Sequence, residues 1–322
     1  MAGQGEVSSP AGCFVRPDKP PAKAWAMDGG RITSIDVLRG IAVLGILPMN
    51  IQGFSMVGAA YWNPTAYGDL RGANLWVWLL SHLLTDQKFL NIFCMLFGAG
   101  IVLFASNAEA SGRQPAPLHY RRMGLLVLFG ILHGWLLWSG DILFDYGVCG
   151  MILFPLRELR PRALVAIGLA AMAVASGIQL AYGASAAHWP ASDLREVKEQ
   201  LWQPTPQEVA GELAEFRGGW RAQMQARAAD AFSMETFFFW AWGLWRESGM
   251  MLAGMALFQW GVLSARRPAA FYWRLIAAAL CVGIPVTLYG TLRDFAHAWD
   301  FLYSFFYGMQ FNYWASPLVS LG

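Results

Sequence analysis

Charge is scarce in this chain: 14% of its 322 residues are Asp, Glu, Lys or Arg, against about a quarter in an ordinary soluble domain. That shortage excludes a typical soluble enzyme. No glycine-rich phosphate loop, HExxH, GxSxG or metal-ligand cluster occurs, so the familiar soluble-enzyme motifs are missing, and no metal is expected. The four cysteines, Cys13, Cys94, Cys149 and Cys281, make no CxxC, and three lie in apolar runs. They read as packing residues, with no disulfide framework implied. No apolar core precedes Ile32, which argues against a cleaved signal peptide. Residues 1–31, rich in Pro, Gly, Ala and Lys, read as a disordered cytoplasmic tail. The net charge of +2 gives no argument for nucleic acid, and none is expected as a partner.

Apolar residues are abundant instead. They make up 56% of the chain, with 16 Trp and 21 Phe, and several runs approach the ~20 residues needed to cross a bilayer. The expected fold is all-α, a polytopic transmembrane bundle of about eight spans. Their expected positions are 38–57, 89–106, 121–138, 142–156, 163–183, 236–263, 271–291 and 301–321. Residues 32–183 form a first transmembrane half and 236–322 a second. Ala73–Leu84 is too short to span, so it reads as an interfacial helix or half of a broken one. Its Trp76 and Trp78 suit the headgroup level.

Lys and Arg set the expected orientation. Arg16, Lys19, Lys23 and Arg31 precede the first span. Arg113, Arg121 and Arg122, then Arg157, Arg160 and Arg162, then Arg266, Arg267 and Arg274 fill alternate loops. Both chain ends then fall on the cytoplasmic side. Residues 184–235 become an external segment, a connector on the membrane surface in preference to a lid. Within it Glu208–Ala231 reads as one amphipathic helix, with Val209, Leu213, Phe216 and Trp220 on a face. No internal repeat supports an inverted-repeat transporter. The last apolar segment ends without a polar tail, which reads as a truncated C-terminus.

Polar groups at membrane depth are the candidates for function. Asp36 and Arg39 share one turn of the first span, with Asn50 further along, as if that helix lined a polar interior. His133 lies within the third span and has two readings: a packed, hydrogen-bonded group, or a general base or acyl carrier. Ser139, Gly140, Asp141 and Asp145 follow. On a straight helix Asp141 would be about 12 Å from His133, and only a hairpin brings them together. Arg246 and Glu247 interrupt the sixth span and are expected to pair with Asp36, Arg39 or Asp145, as a packing ion pair or as ligand contacts. Gly249, Gly254 and Gly261, with Ala253 and Ala256, suit close helix contact. Lys88, Arg121 and Arg122 read as interfacial anchors, or as a cluster attracting the phosphates of a cytoplasmic cofactor.

The runs RITSIDVLRGIAVLGILPMNI, KFLNIFCMLFGAGIVLF, RRMGLLVLFGILHGWLLWSGDILFDYGVCGMILFPLR and ESGMMLAGMALFQWGVL resemble the YeiB-type family of bacterial membrane proteins, from Arg31 to Gly322. Members of that family usually continue into further helices with a GRMALTNY-like stretch. Their opening D-x-x-RG, here Asp36 to Gly40, is similar to that of heparan-α-glucosaminide N-acetyltransferase and other transmembrane acyltransferases. The resemblance implies transfer of an acyl group, such as acetyl, from cytosolic acyl-CoA to a sugar, glycan or lipid-linked acceptor. His133 with Ser139, Gly140 and Asp141 matches the family's LH…SGD block. The animal enzyme's catalytic histidine has no counterpart, because no His lies between Asn50 and Arg71. His133 takes that role on this chain's own residues. The expected set is then His133, Asp141 and Asp145 as catalytic groups, and Asp36, Arg39, Lys88, Arg121 and Arg122 at the acyl-CoA. Asn50, Ser139, Arg246 and Glu247 are further intramembrane polar residues. A transporter of a small polar solute is the alternative, a purely structural subunit a third, and a homodimer is compatible with each.

Overall fold

The computed structural model describes residues 32–322; the expected tail, Cys13 and the basic residues before Ile32 lie outside them. Among the described residues every regular element is helical. In chain order these are α1 (Thr33–Ser55), α2 (Ala59–Trp62), α3 (Gly72–Leu84), α4 (Lys88–Ala110), α5 (Pro115–Leu136), α6 (Leu143–Leu153) and α7 (Pro161–Ala186). There follow α8 (Ala191–Leu201), α9 (Pro206–Arg217), α10 (Trp220–Ser233), α11 (Leu244–Gln259), α12 (Ala269–Ala296) and α13 (301–321). Wide π turns interrupt the regular coil at Met234–Gly243 before α11, at Ala279–Gly283 in α12 and at Ser304–Gly308 in α13.

Four helical stretches among the described residues are long and apolar enough to cross a membrane: α1, the run Gly72–Ala110, α7 and α12. Their outer faces carry Ile41, Leu44, Leu47, Trp76, Val77, Leu169 and Leu280, all largely uncovered. Water would disfavour such a surface and lipid favours it, so the chain is built as a membrane protein. The run Gly72–Ala110 bends where Gln87 takes a left-handed φ of 62°, so α3 is half of a broken helix. Helix α6 has eleven residues, about 17 Å, too short to cross the ~30 Å core alone.

The centre is α11. Its Met250, Met251, Leu252, Met255 and Phe258 are buried, and it packs between α4 and α7. Both contacts are backbone against backbone. A Cβ on Gly98 would overlap the Met251 carbonyl, and one on Gly254 would overlap that of Met95; Gly168 and Gly249 face each other's carbonyls in the same way. The small-residue stripe thus divides between two partners. Gly261 belongs to neither contact: it ends the helix with φ 74°, a conformation that suits glycine.

Helix α1 departs from expectation. It fully buries only Ile35, Ala42 and Gly45, Gly45 against the Phe89 ring, and leaves most of its apolar side chains uncovered.

One end of the bundle gathers the basic loops. The Ser34 hydroxyl donates to the Leu263 carbonyl at 3.1 Å, and Gln259 donates to the Arg157 carbonyl at 3.0 Å. Arg157 pairs with Glu158 at 2.7 Å. The other end carries the α5–α6 hairpin and a cap made of α8, α9 and α10. Gly218 and Gly219 break the expected Glu208–Ala231 helix into α9 and α10, glycine being a poor residue to propagate a helix through. Buried Trp202 anchors the cap, its indole N–H donating to the Trp299 carbonyl at 2.8 Å while its own carbonyl accepts from Asn63 at 2.9 Å. Of the cysteines, Cys94 and Cys149 are buried as expected, whereas Cys281 is exposed on the outer face of α12, so it is no packing residue.

Candidate functional site

The turn after α5 brings His133 and Asp141 together. His133 Nδ1 lies 2.8 Å from Asp141 Oδ1, and the other carboxylate oxygen accepts the Phe144 N–H at 2.9 Å. Gly130 makes this possible, since a Cβ there would collide with the backbone of Phe144. Asp141 is 4% exposed in its side chain and His133 36%. A buried acid therefore fixes the ring while its far edge stays reachable. Burial pushes the Asp141 carboxyl above its usual range, and the Phe144 N–H and His133 pull it back only in part. Ser139 and Gly140 form the turn itself, the glycine against the Trp138 indole.

Further carboxyls close around this pair. Asp145, in the first turn of α6, is within hydrogen-bonding reach of Glu247 on α11, as one of the expected pairings has it. Glu235, which sequence reasoning missed, accepts the Trp135 indole N–H at 3.0 Å, and its second oxygen is buried without a partner beside the bare backbone of Gly134. It lies at the edge of the cap, just before the aromatic run TFFFWAW, and that border hid it.

Arg246 does not join them. Its guanidinium donates to Asn91 Oδ1 at 2.9 Å, to the Ser316 hydroxyl at 3.0 Å and to the Tyr313 carbonyl at 3.1 Å, with the Tyr313 ring 4.3 Å away. The expected link to Asp36 or Arg39 is absent, since those residues sit at the far end of α1. Lys88, also buried, donates to Asn312 at 2.6 Å and to the His82 carbonyl at 2.7 Å; Asn312 in turn donates to Asp86 at 2.9 Å. This is a locked polar network between α4, α11 and α13. Two signals for it were in the sequence: Asn91 in an apolar run, and Asn312, Ser316 and Ser320 spaced four apart on one helical face.

That position removes Lys88 from the expected cofactor cluster. Phe104, beneath Arg122, is sixteen residues further along α4, about 24 Å away. Arg39 and Arg122 do converge: both line a cleft of about 280 Å³ at the basic end, with His119 and apolar groups of α4 and α5. Arg121 is exposed and stands outside it. Asp36 reaches Arg39 at 3.4 Å. Asn50 is half-buried on α1 and joins neither the acidic group nor the cleft. Among the described residues no group of His, Cys, Asp or Glu has the geometry to hold a metal.

Comparison with known proteins follows this geometry. The chain is 32% identical over 276 residues to the protein YeiB of Escherichia coli, covering 84% of this chain and 67% of that one. It belongs to the YeiB-type family. YxaH of Bacillus subtilis is 34% identical over 144 residues, and the 39.9 kDa protein in the amylase 3′ region of Bacillus acidopullulyticus 32% over 130, each match covering 35% of the relative. No family model matches, and no solved structure matches. The stretch shared with YeiB is long enough to hold most of the membrane helices described above. The 144- and 130-residue matches span 42% and 40% of this chain.

Proposed function

We propose that this YeiB-type protein is an integral membrane acyltransferase, moving an acyl group from cytosolic acyl-CoA to a sugar, glycan or lipid-linked acceptor. The observation that carries the reading is the His133–Asp141 pair. Asp141 accepts a hydrogen bond from Nδ1–H, which leaves the Nε2 lone pair as the base. Nε2 takes the proton of the acceptor hydroxyl as its oxygen attacks the thioester carbonyl. The thiolate of CoA leaves and takes that proton back. Asp145 and Glu235 flank the pair and contact the acceptor. From Arg122 to His133 is eleven residues along α5, about 17 Å, so a donor held at the basic end reaches the base through its flexible arm. The architecture that goes with this reading is about eight crossings of the bacterial inner membrane, with the N-terminus cytoplasmic.

The test is turnover by the purified full chain of labelled acetyl-CoA and longer acyl-CoAs against lipid and glycan acceptors. His133→Ala is expected to lower the rate by roughly 10²–10⁴-fold with the fold kept. Wild-type turnover in that variant would remove His133 from the mechanism. Solute flux in sealed vesicles, with no chemical change, would replace the enzyme by a transporter.

A further inference from the structure

The cleft at the basic end has a composition of its own. Its wall on α4 is Phe93, Leu96, Phe97, Ile101 and Phe104, and Met123 of α5 faces them. Arg39 from α1, which also pairs with Asp36 at 3.4 Å, and Arg122 from α5 line it too. The Arg122 guanidinium lies 4.4 Å from the Phe104 ring centre and has no carboxylate within ion-pair distance among the described residues. Two guanidinium groups beside an aromatic and aliphatic trough are complementary to an anion that carries an apolar chain. Guanidinium forks suit phosphate oxygens in particular. At about 280 Å³ the space is near the lower bound of ligand pockets, ~300 Å³, enough for a headgroup and part of one chain. Gly100 supplies the opening: a Cβ there meets nothing within 4 Å, so the cleft extends over bare backbone. His119 takes no part in charge recognition, because its Nε2 donates to the Gly150 carbonyl at 3.0 Å and its ring stacks on Phe154.

We infer that this cleft binds an amphiphile with a net-anionic phosphate headgroup, its phosphate between Arg39 and Arg122 and its acyl chain along Phe93, Phe97 and Phe104. Both an anionic phospholipid and an acyl-CoA have this chemistry. The assignment stands without any reaction at His133.

The experiment is ligand binding to the detergent-purified full chain by native mass spectrometry, with thermal stability in parallel. The probes are phosphatidylglycerol, palmitoyl-CoA, phosphatidylcholine, palmitate and free CoA. Binding of phosphatidylglycerol or palmitoyl-CoA, at least tenfold tighter than of the other three, is expected; which of the two binds names the source. Arg39→Gln with Arg122→Gln should weaken that binding tenfold or more. Gly100→Leu should block it from the α4 wall while the ligand-free protein melts no lower. Equal binding by wild type and the double Arg variant would overturn the assignment. So would palmitate or free CoA binding as tightly as palmitoyl-CoA, or no ligand at all on a folded protein.

Discussion

At the scale of single residues, the side chains that matter here are defined by what holds them. His133 on its own has two readings; held at 2.8 Å by an acid that the Phe144 N–H also anchors, it becomes an oriented imidazole, which is what the proposed base requires. Asp141→Asn separates orientation from stability. The amide still accepts the Phe144 N–H, but its NH₂ group faces Nδ1 and forces the proton to Nε2. Turnover should then fall about as far as in His133→Ala. The melting temperature at neutral pH should hold or rise, because the folded carboxyl is raised above its ordinary value by burial. Its ionised form therefore costs stability as pH climbs through that raised value. Calorimetry beside the activity assay checks both, and a large drop in melting temperature would make Asp141 a structural acid only. The sequence showed both residues and the Ser139–Gly140 turn between them, but not the 2.8 Å, which depends on Gly130 letting two backbones touch. Lys88 shows the reverse. Its charge near a span boundary suggested an anchor, and its partner Asn312 lies 224 residues away, beyond any local pattern.

Among the elements, the cap carries its own response to acid. The Thr205 and Glu208 capping box starts α9, and Glu212 accepts the Gly58 N–H at 2.7 Å. Burial, then the Asp230 and Glu215 carboxylates, raise the Glu212 carboxyl, while Gly58 lowers it; burial and Glu215 raise Asp230. With folded values above the ordinary ones, protonation favours the folded cap. Its stability is greatest below the ordinary carboxylate range and declines as pH rises through the raised values. Hydrogen exchange in α9 and α10 should therefore show stronger protection, at matched intrinsic rate, at about pH 5 than at pH 7. Glu212→Gln, which keeps the Gly58 bond, should shrink the difference; an unchanged difference would assign it to other groups. The division of α9 from α10 was legible in the Gly218–Gly219 pair, yet the apolar spacing of Phe216 and Trp220 across that pair suggested continuity. Both side chains are exposed, so the spacing marked no common core face.

For the molecule as a whole, the alternation of basic loops predicted that they share one end, and the hydrogen bonds from Ser34 to Leu263 and from Gln259 to Arg157 bring three of the loop regions together. With Cys13 and Cys281 replaced by serine, Ser139→Cys and Arg160→Cys should react with a membrane-impermeant maleimide from opposite sides of sealed vesicles. Labelling of both from one side would refute opposite ends. The all-helical class was readable from apolar content because a lipid-facing helix has no other way to satisfy its backbone. Which helix sits at the centre was not, since α11 is no more apolar than α1; what distinguishes it is a glycine on each of two faces.

Those glycines bear on how the molecule can move. With Gly98 and Gly254 clasped, and Gly168 and Gly249 clasped on the other side, α11 has no side-chain cushion on which to roll or slide. A shift of even part of a turn would drive a carbonyl into a backbone. The trio α4, α11 and α7 therefore forms a single strut, and any opening of this protein must be a motion of the other helices around it.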